Sequence, residues 1–322
     1  MHAQTYCTIG KVTALVFAAG TVALLFDSPT LNADTSETPG HATPGESEEP
    51  PATFDVTGIV RDFKEKTVEG GHPDFERRPE HGYGHYSGNI DPTLGEDFKP
   101  VYSGGGFKVT EQWRDSEHRQ ICYNLYNAEL GDNEGRQGQA STGGVLSPES
   151  FDQWYNDIPG VNMSAPLTLT LVRQDDGKYV FDDSQDPLYS ELRGFFPIED
   201  DSPAAGTSLF GNPGGQPDRN FHFTFELHLL FTYDAGGDQF FKFIGDDDVY
   251  VFVNNSLVID LGGVHAAHDQ YVDMSRLGLT DGEPYTIDFF FAERHRTQSN
   301  FRIETNLLLE SAPIPTVTAA YD

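Results

Sequence analysis

The run Val249-Tyr250-Val251-Phe252-Val253-Asn254-Asn255-Ser256-Leu257-Val258-Ile259-Asp260-Leu261 decides the fold. Successive side chains of an extended chain point to opposite faces, so the three valines share one side and Tyr250 and Phe252 the other. Asn254-Asn255 interrupts the alternation with two residues that tolerate positive φ, the chemistry of a two-residue hairpin connection. A second strand then runs back from Ser256 to Leu261. Upstream, Phe221, Phe223, Phe225, Leu227 and Leu229 alternate with His222, Thr224, Glu226 and His228, which predicts a strand with one buried face. Gln239–Ile244, Pro284–Ala292 and Asn300–Leu309 supply further strands. This many antiparallel strands between residues 221 and 309 predict a β-sandwich or barrel.

The N-terminal half carries weaker signals. Phe54–Val60, Leu167–Val172 and Tyr179–Phe181 read as strands, and Pro148–Tyr155 as a short helix with Ser147 as N-cap and Pro148 at the first helical position. Gly70–Gly105 and Asn127–Leu146 are long enough to be either functional or poorly ordered. These elements are too few to close a core of their own, so no separate domain is expected there.

Composition narrows the partner. The chain has 322 residues, with 51 Asp and Glu against 20 Lys and Arg, for a formal charge of −31. Such a surface repels phosphate backbones and anionic headgroups, which argues against nucleic acid and membrane surfaces. It suits hard divalent cations such as calcium. Val12–Phe26 behind Lys11 reads as the apolar stretch of an export signal cleaved after Ala33, with a retained anchor as the alternative. An acidic linker is expected over 34–52, a folded domain over 53–311 and a flexible tail over 312–322. Cleavage would leave Cys122 as the single cysteine, between Ile121 and Tyr123, and a buried inert thiol is expected.

Gly245-Asp246-Asp247-Asp248 stands between two strands. Three adjacent carboxylates repel one another. A calcium ion would offset that, since it favours charged oxygen ligands. On an extended chain neighbouring side chains diverge, and a cis peptide between two of them would bring both to one ion. A solvated acidic turn is the alternative.

The segment Phe243 to Asn255, with Leu257-Val258-Ile259-Asp260-Leu261-Gly262-Gly263-Val264-His265, Leu277-Gly278-Leu279 and Phe290-Phe291-Ala292-Glu293-Arg294-His295, resembles the fibro-slime domain. That family is a branch of the PA14 β-barrel superfamily. Arg61-Asp62-Phe63, His72-Pro73-Asp74-Phe75, Phe151 with Trp154-Tyr155, and Phe195-Phe196-Pro197 fit the same pattern, so the resemblance covers about 55–309. It implies an all-β, PA14-like antiparallel barrel or sandwich with long loop insertions. It further implies an exported, non-catalytic module that holds calcium and binds an extracellular polysaccharide or glycan. In sugar-binding members two adjacent aspartates joined by a cis peptide hold the ion, with an asparagine and carbonyls from a later loop. Carried onto this sequence, the metal ligands are Asp246, Asp247, Asp248 and Asn300, the pair being Asp246 and Asp247. His265 and Glu293 join the ligand-binding end.

Two other clusters invite metal readings. His265, His268 and Asp269 could meet Glu293 and His295 if the loops converge, a set suited to zinc, or could be polar loop residues bonding one another. His72, His81 and His85 with Asp74 form a His-rich segment that otherwise reads as loop. Trp113, Trp154 and Tyr155 could stack on sugar rings or pack in the core. No nucleophile elbow, His-Glu-x-x-His pattern or phosphate loop is present in the sequence. Two alternatives to a glycan-binding module stand: a matrix or slime protein in which calcium only rigidifies loops, and a secreted glycan-active enzyme.

Overall fold

The computed structural model describes residues 49–199 and 219–312. The expected export signal, residues 34–48 of the linker and the tail beyond Ala312 lie outside them. Among the described residues no helix is long and apolar enough to cross a membrane.

The strands are β1 Thr53–Phe63, β2 Tyr86–Ser87, β3 Phe107–Glu111, β4 Arg136–Ala140, β5 Asn162–Arg173, β6 Tyr179–Asp182 and β7 Phe223–Thr232. They continue with β8 Phe240–Gly245, β9 Asp248–Val253, β10 Ser256–Leu261, β11 His268–Asp273, β12 Pro284–Glu293, β13 Phe301–Thr305 and β14 Glu310–Ser311. Two short helices, α1 Pro148–Asp152 and α2 Pro187–Leu192, lie between them. Ser147 caps α1 with a reciprocal capping box and Pro148 opens it, as expected, but the helix stops at Asp152.

One antiparallel sheet runs β10-β9-β12-β7-β1-β5-β6-β13-β8-β11, and β14 adds to β7. Its two edges, β10 and β11, come together to make a nearly closed barrel. No backbone ladder joins them. The Gln270 side chain does so, accepting from the Asp260 N–H at 2.8 Å and donating to the Asp260 carbonyl at 3.2 Å. The β9–β10 hairpin turns through Asn254 and Asn255 at φ 47° and 62°, the paired positive values of a type I′ connection.

The barrel interior is aromatic. Phe223 and Phe225 of β7, Phe243 of β8, Phe289 and Phe291 of β12 and Phe301 of β13 are fully buried. Phe195, after α2, plugs the barrel with its ring stacked 4.4 Å from that of Phe301. The weakly read strands β1, β5 and β6 belong to this same sheet, which is why the N-terminal half has no core of its own.

One expectation is corrected. β7 is buried on both faces, with Thr224, Glu226 and His228 as inaccessible as the phenylalanines. The reason is the long insertion between β1 and β5, residues 64–161, which lays a second apolar layer over the outside of β9, β10 and β12. Ile90, Leu94, Tyr102, Phe151, Trp154 and Tyr155 pack there on Tyr250, Phe252, Leu257 and Phe290. Trp154 and Tyr155 are therefore core residues rather than sugar platforms, and Trp113 is buried as well. Glu226 is ion-paired with Lys99 and with Arg61 Nη1 at 3.1 Å. Burial opposes its charge, yet hydrogen bonding to His228 and these two cations hold its pKa at about 2. Cys122 is free and buried, and burial pushes its thiol pKa well up.

Candidate functional site

β8 and β9 are consecutive in sequence but not neighbours in the sheet. Asp246-Asp247, the whole link between them, therefore crosses the end of the barrel. The bond joining the two residues is cis. Gly245 is required before it, because a Cβ there would lie 2.2 Å from the Asn300 carbonyl oxygen.

Asp246 and Asn300 clasp each other. The Asp246 N–H donates to the Asn300 carbonyl at 3.2 Å. In return the Asn300 N–H and Nδ2 donate to the two Asp246 carboxylate oxygens at 2.6 and 2.8 Å. Asp247 receives the His265 N–H at 3.1 Å on Oδ1 and the Arg294 N–H at 3.2 Å on Oδ2. Glu293, at the end of β12, accepts from the His295 N–H at 3.1 Å through Oε1, while its Oε2 is buried without a hydrogen-bond partner. Asp183, after β6, accepts from the Phe301 N–H at 3.0 Å and lies close enough to feel the Asp246 charge.

The electrostatics of this group are unfavourable to charge. Burial lifts the Asp246 pKa to about 6, against the Asn300 bonds that pull it down. Burial lifts Asp247 well above the carboxylate range, and the charges of Asp246 and Asp248 add to it. Glu293 is raised for the same reason, by burial and then by Asp247 and Asp246. Asp183 rises to about 6, chiefly by burial.

Asp248 behaves differently. Arg294, wholly buried, donates from Nε to Asp248 Oδ2 at 2.5 Å and from Nη2 to Oδ1 at 3.0 Å. Oδ1 also accepts from the Gly263 N–H and the Tyr250 hydroxyl. The third aspartate is thus the counter-ion of a buried arginine, which leaves Asp246, Asp247 and Glu293 as the neighbouring acids without a cation of their own. Arg294 stacks its guanidinium 4.9 Å from the Trp154 ring and donates to the carbonyls of Asp74, Gly143 and Gly144. It fastens the insertion to the barrel end. Sequence reasoning quoted Arg294 within a motif without giving it a role, and passed over Asp183; both act through partners far along the chain.

The histidines do not assemble as the sequence suggested. His265 and His268 gather with His85, ring centroids 5.0 to 5.9 Å apart. Both ring nitrogens of His265 face backbone carbonyls, of Ala266 and Leu261. Asp269 accepts from Gln120 Nε2. His295 instead pairs through Nδ1 with Glu76 Oε2 at 2.7 Å. His72 Nε2 meets the Ser150 carbonyl, His81 the Ala140 carbonyl and His85 the Asp260 carbonyl, so the His-rich segment is dispersed. Asp74 accepts from the Leu146 N–H and Trp154 Nε1.

Residues 174–317 match the PA14 domain. Among curated proteins, Protein psiD of Dictyostelium discoideum is 34% identical over 254 residues, 79% of this chain and 40% of that protein. Protein psiH of the same organism is 40% identical over 172 residues, 51% of this chain and 23% of that one. Protein psiQ is 38% identical over 170 residues, covering 51% and 16%. The chain thus spans less than half the length of these relatives. A crystal structure of Beta-glucosidase from Kluyveromyces marxianus in complex with glucose aligns with a TM-score of 0.20 at 13% identity, over 29% of this chain and 12% of that one, too little to bear on fold or function. The matched segment holds β6 to β14 with the Asp246-Asp247 link and Asn300, while β1 and β5 complete the same sheet from outside it. The chain thus carries a PA14 domain over residues 174–317, and PA14 domains are carbohydrate-binding, adhesion-type modules.

Proposed function

We propose that the acidic barrel end binds a calcium ion through Asp246, Asp247 and Asn300, and that the ion anchors an extracellular glycan by its vicinal hydroxyls. One observation carries the reading. Burial raises the proton affinity of three carboxylates, Asp246, Asp247 and Glu293, the charge of Asp246 adds to that of the other two and Asp247 to that of Glu293, and the nearby cation Arg294 is committed to Asp248. A buried charge is tolerated when paired or when it coordinates a metal. The donors on offer are carboxylates, an amide and backbone carbonyls, the hard oxygen set that calcium takes and that zinc does not prefer. The unpartnered Glu293 Oε2 fits a role facing the ion or its water shell.

The module acts outside the cell and performs no chemistry on the glycan. A binding role fits the family. The test is calcium titration calorimetry followed by glycan-array binding with and without chelator. One calcium per chain and chelator-sensitive glycan spots are expected. Absence of calcium uptake at millimolar concentration refutes the reading.

A second reading has its own observation. Asp246 and Asp247 are only 2% and 3% exposed, which suits an ion that stiffens the 294–300 loop without reaching a ligand. Calcium uptake with a blank array selects it.

A further inference from the structure

We propose that Glu65, Glu76 and His222 form a second cation site, of transition-metal type, that takes zinc. They come from three places: Glu65 follows β1, His222 precedes β7 and Glu76 sits in the insertion. Pairing of β1 with β7, extended by the Phe63 N–H to the His222 carbonyl at 2.9 Å, sets the first two side by side. The Glu76 N–H donates to the Arg294 carbonyl at 2.9 Å and draws the third to the same edge.

One ligand atom from each of the three falls within 4.8 Å of the others, and among the described residues no other set of three His, Cys, Asp or Glu converges so closely. Glu65 and His222 are buried, at 5% and 0% exposure. His222 Nε2 lies 3.0 Å from Glu76 Oε1, and His295 Nδ1 reaches the other oxygen of Glu76, a fourth donor at the rim. Imidazole with carboxylates suits zinc, whose ligands stand at roughly 2.0–2.2 Å, better than calcium. The ligands would have to draw inward by about an ångström to reach those lengths.

The cluster is incompletely satisfied without a metal. Buried His222 Nδ1 has no hydrogen-bond partner, while Glu65 Oε2 and Arg296 Nε have only ionic contacts, the latter with Glu76 Oε1 at 3.7 Å, and a buried group without a hydrogen bond calls for a reason, an ion among them. Arg296 Nη2 lies 2.5 Å from Glu65 Oε2 in ionic contact. Its side chain is 26% exposed, so it can swing to solvent and surrender the place to a metal. Arg296 is, on this reading, a resident stand-in that sets the threshold for zinc.

The test is zinc titration of the full chain in saturating calcium, so that the barrel-end acids are occupied. One zinc per chain is expected. Arg296→Ala should tighten binding at least tenfold, and His222→Ala should weaken it at least thirtyfold. Should His222→Ala fail to fold, zinc-edge X-ray absorption of the native protein replaces it, with at least one imidazole expected in the metal's shell. The proposal is overturned by a shell without imidazole, or by no binding to either the native chain or a normally melting Arg296→Ala, which would leave an ion-pair network only.

Discussion

The inside of the barrel and its acidic end are built from the same strands, yet they are opposite kinds of interior. β8, β9, β12 and β13 each send phenylalanines or valines inward along their length and deliver Asp246, Asp247, Glu293 or Asn300 at one end. Within the barrel every contact is favourable on its own terms: rings meet edge-on or offset and need nothing else. At the end, carboxylates are buried to a similar degree but depend on a partner for their charge. One region is complete in the bare chain, and the other is completed by Arg294 on one side and, on our reading, by a cation on the other. Four variants would break or sharpen that contrast.

The largest effect belongs to the dry region. Phe301 is fully buried and its ring contacts those of Phe195, Phe243, Phe289 and Phe291. Phe301→Ala should cost about 4–5 kcal/mol of unfolding free energy, from lost transfer and an unfilled cavity. Urea melts in calcium and in chelator should fall by the same amount. A loss confined to calcium buffer would show that the core is not independent of the acidic end.

Next comes the arginine that serves both. Arg294→Met keeps the bulk but leaves Asp248 uncompensated and unfastens three backbone carbonyls of the insertion. Removing one member of a buried pair costs about 3–4 kcal/mol. The loss should be larger in chelator than in calcium, because a bound cation would share the orphaned charge. Equal melting of variant and native protein would place the insertion's anchorage elsewhere.

How much of this contrast was legible follows from the same physics. The dry region was readable because burial on one face repeats every second residue, and because Asn254-Asn255 carries the conformational demand of its own turn. β11 escaped notice: its inward positions include His268 and Gln270, and Gln270 is nearly inaccessible because it serves as the barrel's seam rather than its filling. The aspartate pair was visible as a local motif, and Asn300 through the family resemblance. Arg294's tie to Asp248 spans 46 positions, and the meeting of Glu65, Glu76 and His222 needs the sheet order, so no local pattern could disclose them. The long insertion read as loop because its apolar residues are irregularly spaced, although they cover the outer face of β9 and β12.

A pH effect should appear at the seam. Asp260 is wholly buried, with Oδ2 accepting from the Gly88 N–H and Oδ1 unpartnered. Burial, opposed by the Gly88 bond and aided by the Asp248 charge, raises its pKa to about 7. A carboxyl raised above its unfolded value near 3.9 binds more protons folded than unfolded between those limits, so it subtracts stability as pH climbs through that window. Asp260→Asn keeps the acceptor for Gly88 and cannot ionise. Native protein should therefore lose about 2–3 kcal/mol more than the variant between pH 5 and pH 8. Parallel stability curves would mean that Asp260 stays ionised throughout.

The smallest effect discriminates best, because its sign differs between the two interiors. In the barrel, truncation of a buried apolar side chain destabilises. At the acidic end Glu293→Gln should stabilise the chain in chelator by about 1 kcal/mol. The change removes a buried carboxyl whose ionisation burial and the charges of Asp247 and Asp246 oppose, keeps the oxygen that accepts from the His295 N–H, and puts an N–H₂ where Oε2 has no partner. Calcium should then raise the melting temperature of the variant less than that of native protein, since the site has lost part of its negative field. Thermal melts in both buffers at a single neutral pH give both numbers. A variant that is less stable in chelator would mean that Glu293 is already neutral or paired there, and that the acidic end is as self-sufficient as the barrel beneath it.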